Sequence, residues 1–101
     1  MSFTKVEKKG LNSFLLDTNL AEDAFSIHIS ELEAGISSHA PHTHNGMEAY
    51  HVMSGELTVG QGNEKTVLHP NEAAAINANI PHGVTNTGNE KNRYMVIITK
   101  P

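Results

Sequence analysis

The strongest constraint on this chain is its punctuation. Short β-prone runs are broken by Gly, Pro, Asn or Ser about every eight to twelve positions, and nothing sustains a helical period. Phe25, Ile27 and Ile29 alternate with Ser26, His28 and Ser30, as on a half-buried strand, and Ala34-Gly35 ends that run. Glu48 to Met53 reads as the next strand, closed by Ser54-Gly55. Leu57 and Val59 lead to Gly60-Gln61-Gly62-Asn63, Thr66 to Leu68 returns, and His69-Pro70-Asn71 breaks it. Ala73 to Ile76, Ile80 to Val84 and Tyr94 to Thr99 complete the series. Such a pattern predicts an all-β sandwich or barrel.

With 101 residues, the chain is expected to form one domain over 1–101: an N-terminal lead-in and interface segment at 1–23, and a barrel at 25–99. One strand, Ser13 to Leu16, is expected within the lead-in. Nucleic acid is not an expected partner, because the net charge is −4 and no Lys or Arg stands between Lys9 and Lys65. There is no cysteine, which excludes disulfides and thiolate ligands. The opening MSFTKVEKKG lacks the apolar run of a signal peptide, and no stretch approaches membrane-spanning length. A soluble cytoplasmic protein is the expectation, with no membrane partner.

Seven histidines are present, five of them between His28 and His51. Histidine is the commonest metal ligand, so their placement matters. In His42-Thr43-His44, residues two apart on an extended segment point to one face. Asn45-Gly46-Met47 leaves room for a tight turn, after which Glu48 can return a carboxylate to the same point. His82, after Ile80-Pro81, can bring a third imidazole from across a barrel. Three neutral nitrogens and one carboxylate suit a first-row divalent ion and leave positions open for water or substrate. From the spacing of His42, His44 and Glu48 alone, two exposed strand histidines and an unrelated glutamate account for the pattern equally well.

The surrounding residues add to this, for the sequence resembles the cupin superfamily. The family's first motif runs Gly, five residues, His-x-His, three or four residues, Glu, six residues, Gly. Here Gly35 is followed by six residues, His42-Thr43-His44, three residues, Glu48, six residues and Gly55. The second motif runs Gly, five residues, Pro-x-Gly, two residues, His, three residues, Asn, and it reads here Asn71, Asn77-Ala78-Asn79, His82 and Asn86. Asn replaces both motif glycines, and Asn is the non-glycine residue most tolerant of positive φ. The motif proline is lost to Asn77. The resemblance implies a jelly-roll barrel, the double-stranded β-helix, with one divalent transition metal held near one mouth by His42, His44, Glu48 and His82. Fe and Mn are the favoured occupants, while Ni, Co, Cu and Zn are also chemically acceptable.

Among the other residues, Tyr50 and Val52 share parity with Glu48 and are expected inside the barrel. Tyr50 is a core residue whose hydroxyl is also the candidate catalytic group. His28 is expected to face solvent or a subunit interface rather than a pocket. His51 should point away from the metal, His39 is expected either to support the ligand pair from its loop or to be mobile, His69 to lie solvated in a turn, and Asn86 to be structural.

Three functions are weighed. A metal-dependent enzyme on a small molecule, of oxygenase, isomerase or lyase type, is the first. A non-catalytic module that binds or senses a metal or small ligand is the second. A metal-free sugar-nucleotide epimerase needs cationic anchors for pyrophosphate, and their scarcity argues against it. The expected ligand is a small, neutral or weakly acidic molecule that chelates the metal through two oxygens. The resemblance also implies a homodimer, with Phe3 to Leu20 crossing or bordering the two-fold interface.

Overall fold

The computed structural model describes the backbone of residues 3–16 and 25–99. These form nine strands: β1 (Phe3–Lys8), β2 (Leu11–Leu16), β3 (Phe25–Leu32), β4 (Met47–Ser54), β5 (Leu57–Gln61), β6 (Glu64–Leu68), β7 (Ala73–Asn77), β8 (His82–Thr85) and β9 (Arg93–Thr99). The expected all-β jelly roll is what the chain forms. Its strands make a six-stranded sheet in the order β1-β2-β3-β9-β4-β7 and a three-stranded sheet in the order β6-β5-β8, antiparallel throughout.

Alternation along each strand builds the core between the sheets. Tyr50 and Val52 on β4, Tyr94 and Val96 on β9, and Leu32 on β3 face Leu57 and Val59 on β5 and Val84 on β8 across the interior. The intervening residues of the large sheet point outward. Ile27 is paired with Ile97 and Ile29 with Met95, which sets two adjacent apolar pairs on the outer face.

The N-terminal segment holds the expected strand at Ser13 to Leu16 within β2, and adds a strand before it. Residues 3–16 form a hairpin, with β2 paired to β3 from Leu11↔Leu32 to Leu15↔His28. Its alternation is weak because an edge hairpin gains most of its order from backbone pairing rather than from a continuous apolar row. Positions 17–20 of the expected interface segment lie outside the described residues, as do the side chains of Phe3, Phe14, Leu15 and Leu16.

Two buried asparagines close one end of the barrel. Asn92 accepts from the Leu32 amide at 2.9 Å and donates to the Glu56 carbonyl at 2.9 Å. Asn86 donates to the carbonyls of Leu32 at 2.8 Å and Glu90 at 2.7 Å, in keeping with its expected structural role. Asn71 has φ 69 and takes up the left-handed turn where the motif has glycine, whereas Asn79 does not. Among the described residues, no helix is long and apolar enough to cross a membrane.

Candidate metal centre

His42, His44, Glu48 and His82 come together from three parts of the fold. Glu48 is the second residue of β4 in the large sheet, and His82 opens β8 in the small one. His42 and His44 sit in the loop that precedes β4, not on a strand. The two imidazoles do converge on one point as expected, but from a loop rather than from a regular strand. A backbone clamp orients them instead: His42 and His82 exchange N–H···O bonds at 3.1 and 3.0 Å, and the His44 amide donates to Ala78 at 2.9 Å. The Ala78 amide returns a bond to Gly46 at 3.0 Å. Gly46 is required there, since its φ is 102 and a Cβ would stand 2.1 Å from the Thr99 carbonyl oxygen.

One potential ligand atom from each of the four residues lies within 4.8 Å of the others. Two donors on opposite sides of one ion, at about 2.1 Å each, stand about 4.2 Å apart, so this spread is the size of a coordination shell. The three imidazole rings are close to mutually perpendicular: His42–His44 81°, His42–His82 72° and His44–His82 76°, with centroids 4.8 to 5.3 Å apart.

The hydrogen bonds assign the tautomers. His82 Nδ1 lies 2.9 Å from the Ile80 carbonyl, which only accepts, so Nδ1 carries the proton and Nε2 presents a lone pair. That Nε2 is buried and has no hydrogen-bond partner among the described residues. Glu48 Oε1 is 3.3 Å away, without hydrogen-bond geometry. Hydrogen bonding among the described residues leaves this buried lone pair beside a carboxylate unexplained, and a cation accounts for it. His44 Nδ1 faces the Asn45 carbonyl at 3.1 Å and its Nε2 faces Glu48 Oε1 at 2.6 Å. Acceptors on both nitrogens favour the doubly protonated ring in the metal-free protein, and an ion would take the place of the proton on Nε2.

The acid–base balance agrees. Burial acts to lower the pKa of His44, but the Asn45 carbonyl and the Glu48 carboxylate outweigh it, and the net shift is upward. Burial acts to raise Glu48, yet hydrogen bonds from Tyr50 and His44 and the nearby His82 bring it below its ordinary value. His42 is lowered, chiefly by burial and by His39 and His82. The four residues could hold a first-row divalent ion, with donor types suited to one. When bound, such an ion supplies Lewis-acid polarisation of an oxygen ligand or a site for dioxygen.

His42, His44 and Glu48 open onto a cavity of about 590 Å³ between the sheets. Tyr50 lies inside, as its parity predicts, but its hydroxyl donates to Glu48 Oε2, which occupies it in orienting that carboxylate. His39 stacks on His42 with ring centroids 3.9 Å apart, and His51 lies on the opposite face of β4 from Glu48. His69 is largely exposed and lies between Glu56 and Glu72.

His28 is the main correction. It lines the cavity rather than solvent or an interface, in one row with Ser30 and the buried Leu32. Alternation separates His28 from Ile27 and Ile29, but the apolar row is the outer one. Ser13, Ser30 and Tyr94 share this wall with it; the two serine hydroxyls are 3.1 Å apart, and Ser30 also bonds Tyr94. The parity that Ser26, His28 and Ser30 share with Leu32 was the available signal.

The family model described as cupin domain matches residues 28–98. No curated protein matches. Among solved structures, the chain is similar to the Cupin_2 domain of an XRE family transcriptional regulator from Enterobacter cloacae. That likeness has 22% identity and a TM-score of 0.79, covering 91% of this chain and 98% of that one. It is also similar to an HTH_3 family transcriptional regulator from Vibrio cholerae (22% identity, TM-score 0.78, 91% of this chain), about half of whose length it spans at 52%. A sugar phosphate isomerase from a cupin superfamily in Silicibacter pomeroyi matches with 22% identity and a TM-score of 0.76, over 92% of this chain and 61% of that one. At these identities the likeness to solved structures carries the fold alone.

Proposed function

The chain belongs to the cupin domain family, and on that premise we propose that it is a metal-dependent enzyme acting on a small neutral or weakly acidic molecule. His42, His44, Glu48 and His82 hold one divalent transition metal, with Fe or Mn favoured. The observation that carries this reading is the bare, buried Nε2 of His82, set among three other donor atoms at the wall of a ligand-sized cavity. Val84, Val96 and Ile98 supply apolar walls, and Lys8 is the one Lys or Arg among the described lining residues. Such a lining suits a ligand of low charge, bound through oxygens to the metal. Oxygenase, isomerase and lyase chemistry all use a site of this kind.

A second reading, a non-catalytic sensing module, is favoured by the likeness to two transcriptional regulators. Element analysis of protein purified without added metal, followed by aerobic and anaerobic turnover screens, separates the two. Metal with turnover supports the enzyme, and metal with saturable binding but no turnover supports the sensor. Protein that takes up no Fe, Mn, Ni, Co, Cu or Zn at pH 7.5 would sink the enzyme and the metal sensor, and leave only a module for a small ligand.

A further inference from the structure

We propose that His28 is the second anchor of the ligand: its imidazole hydrogen-bonds a hydroxyl or carbonyl on the far end of a molecule whose near end chelates the metal. This rests on the metal-site reading above and adds the substrate class, a small molecule with an oxygen chelating head and a neutral polar group distal to it.

The geometry starts from strand pairing. Glu48 on β4 pairs with Ile98 on β9, and Ile98 pairs with Ser26 on β3. His28 is thus two strands across and two residues along from Glu48, on the same inward face. With strands about 4.8 Å apart and about 3.4 Å of rise per residue, the two Cα atoms are about 12 Å apart on a flat sheet. Barrel curvature brings the inward tips nearer than the backbones. A molecule the size of a substituted six-membered ring spans that gap.

On the β3 side of the cavity, His28 is a polar group left available among the described residues, while Ser38 Oγ, on the loop side, is also without a partner among them. Tyr50 is committed to Glu48, and Ser13, Ser30 and Tyr94 are joined to one another. His28 makes no hydrogen bond to any described residue, although it is largely withdrawn from solvent within the cavity lining. Its ring nitrogens are not among the fully buried atoms, so cavity water can reach them, and a ligand hydroxyl or carbonyl can take that water's place. Burial holds its pKa below the ordinary value, opposed only in part by Glu48, so the ring is neutral near pH 7. A neutral imidazole offers one donor and one acceptor, which fits a hydroxyl and gives a carboxylate no ion pair.

The test uses Mn(II)-loaded protein of measured metal content. It is titrated with benzohydroxamic acid and its 3-hydroxy and 4-hydroxy derivatives, which share one chelating head. One hydroxylated form should bind the wild type about fivefold more tightly than the parent, the effect of one added hydrogen bond. His28→Leu should abolish that gain with metal content and parent affinity unchanged, and His28→Gln should restore part of it. A gain that survives in a folded His28→Leu protein, or two hydroxylated forms no tighter than the parent in the wild type, would overturn the proposal. A wild type that takes up no Mn(II) overturns the metal-site reading, and the anchor with it. If His28→Leu fails to fold, the decision passes to His28→Gln, whose gain must fall below that of the wild type.

Discussion

The Nε2 of His82 stands 3.3 Å from Oε1 of Glu48, though one residue begins β8 in the small sheet and the other lies on β4 in the large one. The two sheets thus meet at a pair of donor atoms that have no hydrogen bond between them. Packing holds a lone pair and a carboxylate oxygen together, as the coordination shell of a cation does. Metal binding should therefore tie the sheets together, and its loss should be felt by the whole barrel.

The first prediction concerns the ligands. His42→Ala, His44→Ala and His82→Ala should each lower metal affinity by more than the roughly 10–100-fold that follows loss of an outer-shell hydrogen bond. Glu48→Gln should do likewise, because it removes the one negative donor. Equilibrium dialysis with element analysis reads the result, and full occupancy in all four variants would refute the assignment.

Tyr50→Phe isolates the group that orients Glu48. The ring and its packing remain, but the buried carboxylate loses a donor that now lowers its pKa. Metal affinity should fall about tenfold while the fold persists. An unchanged dissociation constant would show that Tyr50 does not act through Glu48.

Protons compete with the metal. Metal binding requires three neutral imidazoles, so affinity should rise with pH through about 6 to 7 and fall below it. The upward shift of His44 extends this competition above the ordinary histidine value of 6.5. Glu48 lies below its ordinary carboxylate value and stays ionised across this window. Calorimetry in buffers of differing ionisation enthalpy should detect proton release near pH 7, and its absence would mean that His44 is already neutral.

His28 governs a separate pH effect in the metal-free protein. Its folded-state pKa is lowered from 6.5, so the unfolded chain takes up this proton first as pH falls. The stability is fully present above about 6.5 and is lost progressively below it. Urea midpoints at pH 7.5 and 5.5 should drop further for the wild type than for His28→Leu, since His42 and His44 titrate in both. Equal drops would place the ring in contact with bulk water.

A homodimer through the outer face of the large sheet is also proposed. The pairs Ile27–Ile97 and Ile29–Met95 give that face a contiguous apolar surface that a second copy would cover. Sedimentation should give a dimer at micromolar concentration, and Ile97→Glu should yield a folded monomer. A monomeric wild type across that range would rule the interface out.

Much of the fold was legible in the residues themselves. Turn residues at close intervals forced short strands, and alternation placed Tyr50 and Val52 on the inward side with Glu48. The two spaced motifs resembling the cupin family carried His42, His44, Glu48 and His82 together, and Asn71 took the positive φ that its turn position demands. Side-chain identity and local backbone preference act over a few residues, so a linear reading can follow them.

The rest depended on which surfaces meet. Alternation on β3 separates His28 from Ile27 and Ile29, but it is symmetric between inside and outside. Only the stacking of the small sheet against the large one decided that the polar row lines a cavity and the apolar row faces out. Likewise, His42 and His44 owe their aim to hydrogen bonds with Ala78 and His82, more than thirty residues along the chain. Contacts of that sequence separation exist only once the barrel has closed, and they gave Tyr50 to Glu48 and left His28 without a partner among the described residues.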